Sequence, residues 1–232
     1  MASKTAGASS SSACTANIPA PPAKLHLTRI TWKKGRVLHR VHDQAYGATS
    51  FHPGGKGNAR FSPIWNRTFA PETPIATLYG GETFQCASME TVFHDVPFAP
   101  GFKSYDKRKL AGLTYSVLVS TSDLVLADLS NVALRKLGIP RSQLIDTEKS
   151  CYQKTRAWAE AIYTQAPEVQ GLFWTSRQDD SARALMLFGD RVAPGVLQQA
   201  GGSRSLVHDV QTYTELLDLA LSIGVDIVGP LP

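Results

Sequence analysis

After Lys24 the chain is cut into short apolar runs, each bounded by glycine, proline or small polar residues. Runs of this length read as strands. Val37 to Asp43 (VLHRVHD) alternates apolar and polar residues with period two. Pro74 to Gly80 (PIATLYG) is a short apolar strand ended by two glycines. Two more strands surround a Thr-Ser-Asp turn between Tyr115 and Asp128, and Gly171–Ser176 with Ala182–Phe188 forms a strand pair across a polar loop. The sequence Val-Asp-Ile-Val-Gly near the end is a last strand. Helical spacing is irregularly placed among these. Glu82 to His94 reads as a helix stopped before Pro97. A second helix starts at Asp146 as N-cap and runs to about Ala166, with Tyr152, Thr155, Ala159 and Ile162 on one face. A third, Val210 to Ile223, ends at Gly224. The order excludes a regular βαβ alternation and predicts a mixed α and β domain.

Residues 1–22 are rich in Ala, Ser, Thr and Pro and bury too little to offset their ordering entropy. They are expected to be a disordered tail, with one domain over 23–232. No apolar run approaches the roughly twenty residues of a membrane span, and no basic start leads into an apolar signal core. The three cysteines (Cys14, Cys86, Cys151) are odd in number and far apart, which argues against a disulfide framework and for a reducing compartment. The net charge of +5 suits an anionic ligand or partner, or simply solubility. No helix-turn-helix, zinc-finger or RNP-like pattern accompanies it, which weakens a nucleic-acid-binding reading.

The chemistry-bearing stretch is Gly57 to Asp95. Glu90 shares its helix face with Cys86, Ala87, Phe93 and His94, three and four positions away. A carboxylate among such groups is costly unless compensated. It is either a site residue or half of a structural ion pair. Glu82, at the helix start, is explained by the macrodipole alone. Arg60 follows a glycine-rich loop that matches neither the P-loop nor the Rossmann fingerprint. Its guanidinium suits phosphate, as does that of Arg40, which pattern alone places outward. Tyr79 ends a strand and is either core or a flat surface for a ligand. Ser176 enters a polar loop and is either a turn serine or a site hydroxyl. His39, His42, His52 and His94 have no metal-ligand spacing, and no metal is expected.

Taken in order, HRV at Arg40, GNARFSPI at Arg60, IATLYGGETFQCASMETVFHD at Tyr79 and Glu90, and GLFWTSR at Ser176 resemble the RES domain family from about Leu38 to Val192. That family comprises the toxin halves of RES–Xre toxin–antitoxin modules. Where it often has Gly-Arg-Trp-Asn, this chain has Ala59, Arg60, Phe61 and Ser62, so an amide is replaced by a hydroxyl. The resemblance implies an α+β, ADP-ribosyltransferase-like fold of short antiparallel sheets flanked by helices. It implies NAD as substrate and cleavage of the nicotinamide–ribose bond, by phosphate or water, with inorganic phosphate as co-substrate in the first case. The alternative it carries is ADP-ribosylation of a target protein. Glu90, Arg60 and Ser176 are the implied catalytic set. Arg40 and Arg60 would hold the pyrophosphate, Tyr79 would stack on nicotinamide, and Ser176 would bond the ligand near Glu90. The implied partner is an Xre-type helix-turn-helix antitoxin, in an oligomeric cytoplasmic complex with no direct nucleic-acid contact.

Overall fold

A computed structural model describes residues 14–68 and 70–230. The elements in chain order begin with β1 (Thr28–Trp32), β2 (Val37–Asp43), β3 (Trp65–Asn66), β4 (Thr73–Pro74), β5 (Thr77–Gly81) and α1 (Phe84–Thr91). Next come β6 (Lys103–Asp106), β7 (Leu113–Ser120), β8 (Leu124–Asp128), α2 (Asn131–Leu137), α3 (Arg141–Leu144) and α4 (Tyr152–Gln165). The chain closes with β9 (Gly171–Thr175), β10 (Arg183–Phe188), β11 (Leu197–Gln199), β12 (Arg204–Ser205), α5 (Val210–Ser222) and β13 (Val225–Val228).

Nine strands form one sheet in the order β1-β8-β9-β10-β5-β2-β7-β11, with β12 also on β7. Its pairs are antiparallel except β8 with β9. The fold is α+β, with mostly antiparallel sheets flanked by helices, as expected; besides the large sheet, β3 with β4 and β6 with β13 make two-stranded ones. The halves of the large sheet join at β5 and β2. They meet through a single register pair, His39 with Gly81, and this joins the two halves.

Period-two alternation assigns each strand's side chains to opposite faces. On one face, Leu38, Leu78, Leu118, Leu126, Phe173 and Leu185 make a core layer covered by loop residues such as Ala48 and Val192. On the other, two clusters sit side by side. One packs Leu172, Trp174, Ala184 and Met186 under Trp158, Ala159 and Ile162 of α4. The second packs Val41 and Tyr115 against Ala87 and Met89 of α1 and Leu216 and Ala220 of α5. The seam between these two clusters is where a cavity can open.

The expected helices form, with shifted ends. Thr83, not Glu82, caps α1: its hydroxyl accepts from Cys86 N. Glu82 instead pairs with the Arg36 guanidinium and accepts from Arg183 N, so the macrodipole is not needed to explain it. The second helix begins at Tyr152, not after Asp146, because Asp146 is engaged by Arg141 and a short 3-10 turn intervenes. Gly224 at φ +65° ends the third, as its position predicts. Gly81 matters for closeness: a Cβ there would meet Cys86 Sγ at 2.9 Å, so glycine lets α1 lie on β5.

The cysteine expectation is corrected. Cys14 and Cys151 form a disulfide, leaving Cys86 free and buried. An odd count hid one pair and one single thiol, and the cysteine argument for a reducing compartment falls with it. The segment from Cys14 also packs: Ile18 is buried, Trp158 Nε1 donates to Pro19 O, and Gln165 Nε2 donates to Pro22 O. The expected tail boundary at residue 22 therefore falls inside an ordered strap over α4. The rest of that tail, residues 1–13, lies outside the described residues.

Candidate active site

The seam between the two core clusters holds a cavity of about 390 Å³. Its lining includes Val41 on β2, Tyr79 and Gly80 on β5, Ala87 and Glu90 on α1, Trp174 on β9 and Tyr152 on α4. Arg60 reaches it from the loop before β3. Strands from the middle of the sheet make the floor, and the ends of α1 and α4 make opposite walls.

Glu90 is half-buried, and its Oε1 accepts a hydrogen bond from Ser176 Oγ at 2.6 Å. Ser176 is fully buried. Its Oγ also accepts from the backbone N–H groups of Gln178 and Asp179, each at 3.0 Å. Both lone pairs are thus taken, and the hydroxyl hydrogen points at Glu90. Ser176 is a turn serine whose hydroxyl also reaches Glu90. A direct contact with a ligand is not open to it: Ser176 lies behind the cavity wall and acts through Glu90, because its hydroxyl has nothing left to offer.

Ser176→Ala removes the acceptor for two buried N–H groups as well as the donor to Glu90. Leaving buried donors unsatisfied costs about 2 kcal/mol, which lowers Tm by about 4–8 °C for a chain of this size. A thermal melt checks it; an unchanged Tm would remove this account of the loop.

Arg60 is buried, and its only partners are neutral. Nη1 donates to Thr147 O (3.1 Å) and Oγ1 (2.8 Å), while the guanidinium carbon stands 5.0 Å from the Tyr152 ring centroid. Burial lowers its pKa; Tyr152 and Glu90 act the other way. Neither Arg60 nor Glu90 belongs to an ion pair among the described residues. The alternative of a structural ion pair for Glu90 is therefore not what the fold builds.

Tyr79 donates to Ser62 Oγ at 3.0 Å, so the hydroxyl that replaces the family's amide holds this ring in place. Desolvation raises the Tyr79 phenol well above its ordinary value, keeping it neutral. The Trp174 ring stands edge-on to it at 6.4 Å, and its indole N–H finds no acceptor among the described residues. Such orphan donors are rare in folded proteins.

Arg40 is not brought to the cavity. Leu38, Arg40 and His42 lie on the face of β2 opposite Val41, and Arg40 Nη1 donates to Ala48 O and Ser50 O at 2.5 and 2.9 Å. Burial draws its pKa down to about 10. It is a clasp for the 46–52 loop, and the expected pyrophosphate role is corrected by the strand's period of two. The histidines also separate: His39 bonds Tyr115, His42 bonds Ser116, and only His94 lines the cavity. No group of His, Cys, Asp or Glu among the described residues is arranged to hold a metal.

Sequence reasoning missed the α4-side wall. Tyr152 OH touches His94 Nε2 at 3.1 Å, and His94 Nδ1 touches Asp95 Oδ1 at 2.8 Å. Lys149 Nζ bonds Asp95 Oδ2 at 2.5 Å. Burial pushes the Asp95 carboxyl up, but the bonds from Lys149 and His94 outweigh it and hold it below its ordinary value. The one available signal was His94, four positions after Glu90.

Among known proteins, the fold is similar to a chain in the crystal structure of the M. tuberculosis MbcT–MbcA toxin–antitoxin complex. The TM-score is 0.53 at 18% identity, over 80% of this chain and 91% of that one. No curated protein matches the chain. The RES domain model matches residues 37–209, a span that contains the whole cavity floor, both cavity walls, Arg60, Glu90 and Ser176, and the chain therefore belongs to the RES domain family.

Proposed function

We propose that this protein is the toxin of a toxin–antitoxin module and cleaves the nicotinamide–ribose bond of NAD. The observation that carries the reading is the pairing, in one cavity, of a buried guanidinium and a carboxylate that have no charged partners of their own. Unpaired charges in a wall are expensive, and a ligand bearing both a diphosphate and a cationic ring compensates both. NAD has that constitution.

In this reading Arg60 holds the diphosphate, as guanidinium groups do. Nη1 is taken by Thr147 and Nη2 makes a long bond to the Tyr152 hydroxyl at 3.4 Å, which leaves Nε and the second hydrogen of Nη2 to donate. The Tyr79 ring lies against the nicotinamide. The C1′–N bond breaks with its electron pair leaving on nitrogen, so nicotinamide departs neutral and needs no acid. Positive charge grows on the ribose, as in glycoside hydrolysis. The Glu90 carboxylate, locked by Ser176 through Oε1, presents Oε2 to that charge. An oxygen of water or phosphate then bonds to C1′ and gives up its proton to Glu90 or to solvent.

The likeness to the toxin–antitoxin complex supports an antitoxin as partner; a helix-turn-helix protein of the Xre type is the partner we propose. Among the described residues no helix is long and apolar enough to cross a membrane.

The test is NAD concentration over time with purified protein, with and without inorganic phosphate, products resolved by mass spectrometry. Free nicotinamide is the expected product. ADP-ribose 1″-phosphate would mark phosphorolysis, ADP-ribose hydrolysis, and label retained on an added protein would mark ADP-ribosyl transfer. Intact NAD under every condition overturns the reading.

A further inference from the structure

The Glu90 cavity does not end at its own wall. A second lobe of about 350 Å³ abuts it and shares His94, Asp95, Lys149 and Tyr152 with it. Two other hollows of the fold, one near Asn131–Pro140 and one near Thr49–Leu197, share no lining residue with the Glu90 cavity. The second lobe is an extension of the Glu90 cavity into which a long ligand can run.

Its lip carries Phe98, which is 89% exposed. Its phenyl ring, open to water beside the cavity, offers a flat apolar face to a ligand. The opposite side is polar and held in place. Arg177 donates to Thr147 O and to Glu148, with only 19% of its side chain exposed. Gln178 gives its amide N–H to His94 O at 2.8 Å, which leaves its carbonyl oxygen as an acceptor in the lobe. Lys149 stands on the wall common to both lobes.

We infer that the second lobe binds the adenosine half of the substrate, with Phe98 stacking on the base. This rests on the NAD reading above. With the ribose C1′ at Glu90 and the diphosphate at Arg60, the ligand can leave the first lobe past Tyr152 and Lys149, the wall that both lobes share. That path leads into the second. A flat base covers the Phe98 ring, and its exocyclic amine meets the Gln178 carbonyl. The second lobe is thus a purine-nucleotide site separable from the chemistry.

The experiment compares the native chain with Phe98→Ala on two ligands and two substrates. Phe98 is so exposed that its removal leaves the fold intact, which a thermal melt verifies. ADP binding, measured by calorimetry, is expected to weaken about tenfold, the scale of one base–aromatic stack. KM for NAD is expected to rise by about the same factor, and Phe98→Tyr to restore both. Nicotinamide mononucleotide lacks adenosine, so its turnover is expected to be indifferent to the substitution. ADP bound equally by both chains, or by neither, overturns the inference. So does NAD turnover with an unaltered KM, which would leave the proposed activity standing. ADP binding that depends on Phe98 in a protein that leaves NAD intact would uphold the nucleotide site and overturn the activity instead.

Discussion

Glu90→Gln is expected to reduce NAD cleavage by about a thousandfold, with Tm close to that of the native chain. The substitution keeps the shape of the side chain and an oxygen for the Ser176 hydroxyl. What it removes is the negative charge, and charge is what the growing cation on the ribose needs. Because Glu90 has no cationic partner among the described residues, its neutralisation leaves no orphaned charge behind. A structural carboxylate behaves otherwise: its loss shows in the melt and spares the rate. Steady-state NAD consumption together with a thermal melt separates the two. A rate within tenfold of native would remove Glu90 from the chemistry.

The largest effect on stability is expected at the other end of the chain. Reduction of the Cys14–Cys151 disulfide, or Cys14→Ser, should lower Tm by roughly 5–15 °C. The bond links positions 137 apart, and a cross-link over so long a loop restricts the unfolded chain by about 2–4 kcal/mol in practice. At this chain length each kcal/mol moves Tm by about 2–4 °C. The strap that it anchors adds to the effect: Ile18 packs into the core beside α4, and Trp158 bonds Pro19 O. The loss reaches the site as well, since Cys151 immediately precedes Tyr152, whose ring flanks Arg60. Melts with and without reductant, with a thiol count to confirm the redox state, check this. The Cys14→Ser protein should be indifferent to reductant, and equal melts for oxidised and reduced native protein would show that the bond does not stabilise the fold.

Much of the fold was legible because it follows from local periodicity. The run Val37–Asp43 is a strand with the bounds that its alternation predicts. The stripe Tyr152, Thr155, Ala159 and Ile162 is buried in α4 as its spacing predicts. Less visible were elements with weak local signals, such as β6, whose partner is the distant β13. The same division runs through the site. Glu90 drew notice because a carboxylate among small apolar neighbours needs a reason, and Arg60 because glycines precede it. Tyr152 gave no such signal, since it is an ordinary residue for its element and becomes part of a wall only when α4 is laid opposite α1.

Arg40 marks the limit from the other side. Its residue type and its place in the ordered motif are compatible with a phosphate ligand. The strand's alternation, however, sends it to the face away from Val41 and the cavity. By itself the sequence determined the strand and helix periods, which are written in spacing along the chain, and, through its ordered motifs, the resemblance to the family and the residue types able to carry the chemistry. Only the tertiary structure decided which side of β2 the cavity is on, that Ser176 spends its hydroxyl on Glu90, and that Cys14 meets Cys151. Those depend on how segments tens of residues apart are superposed, and no local pattern encodes that contact.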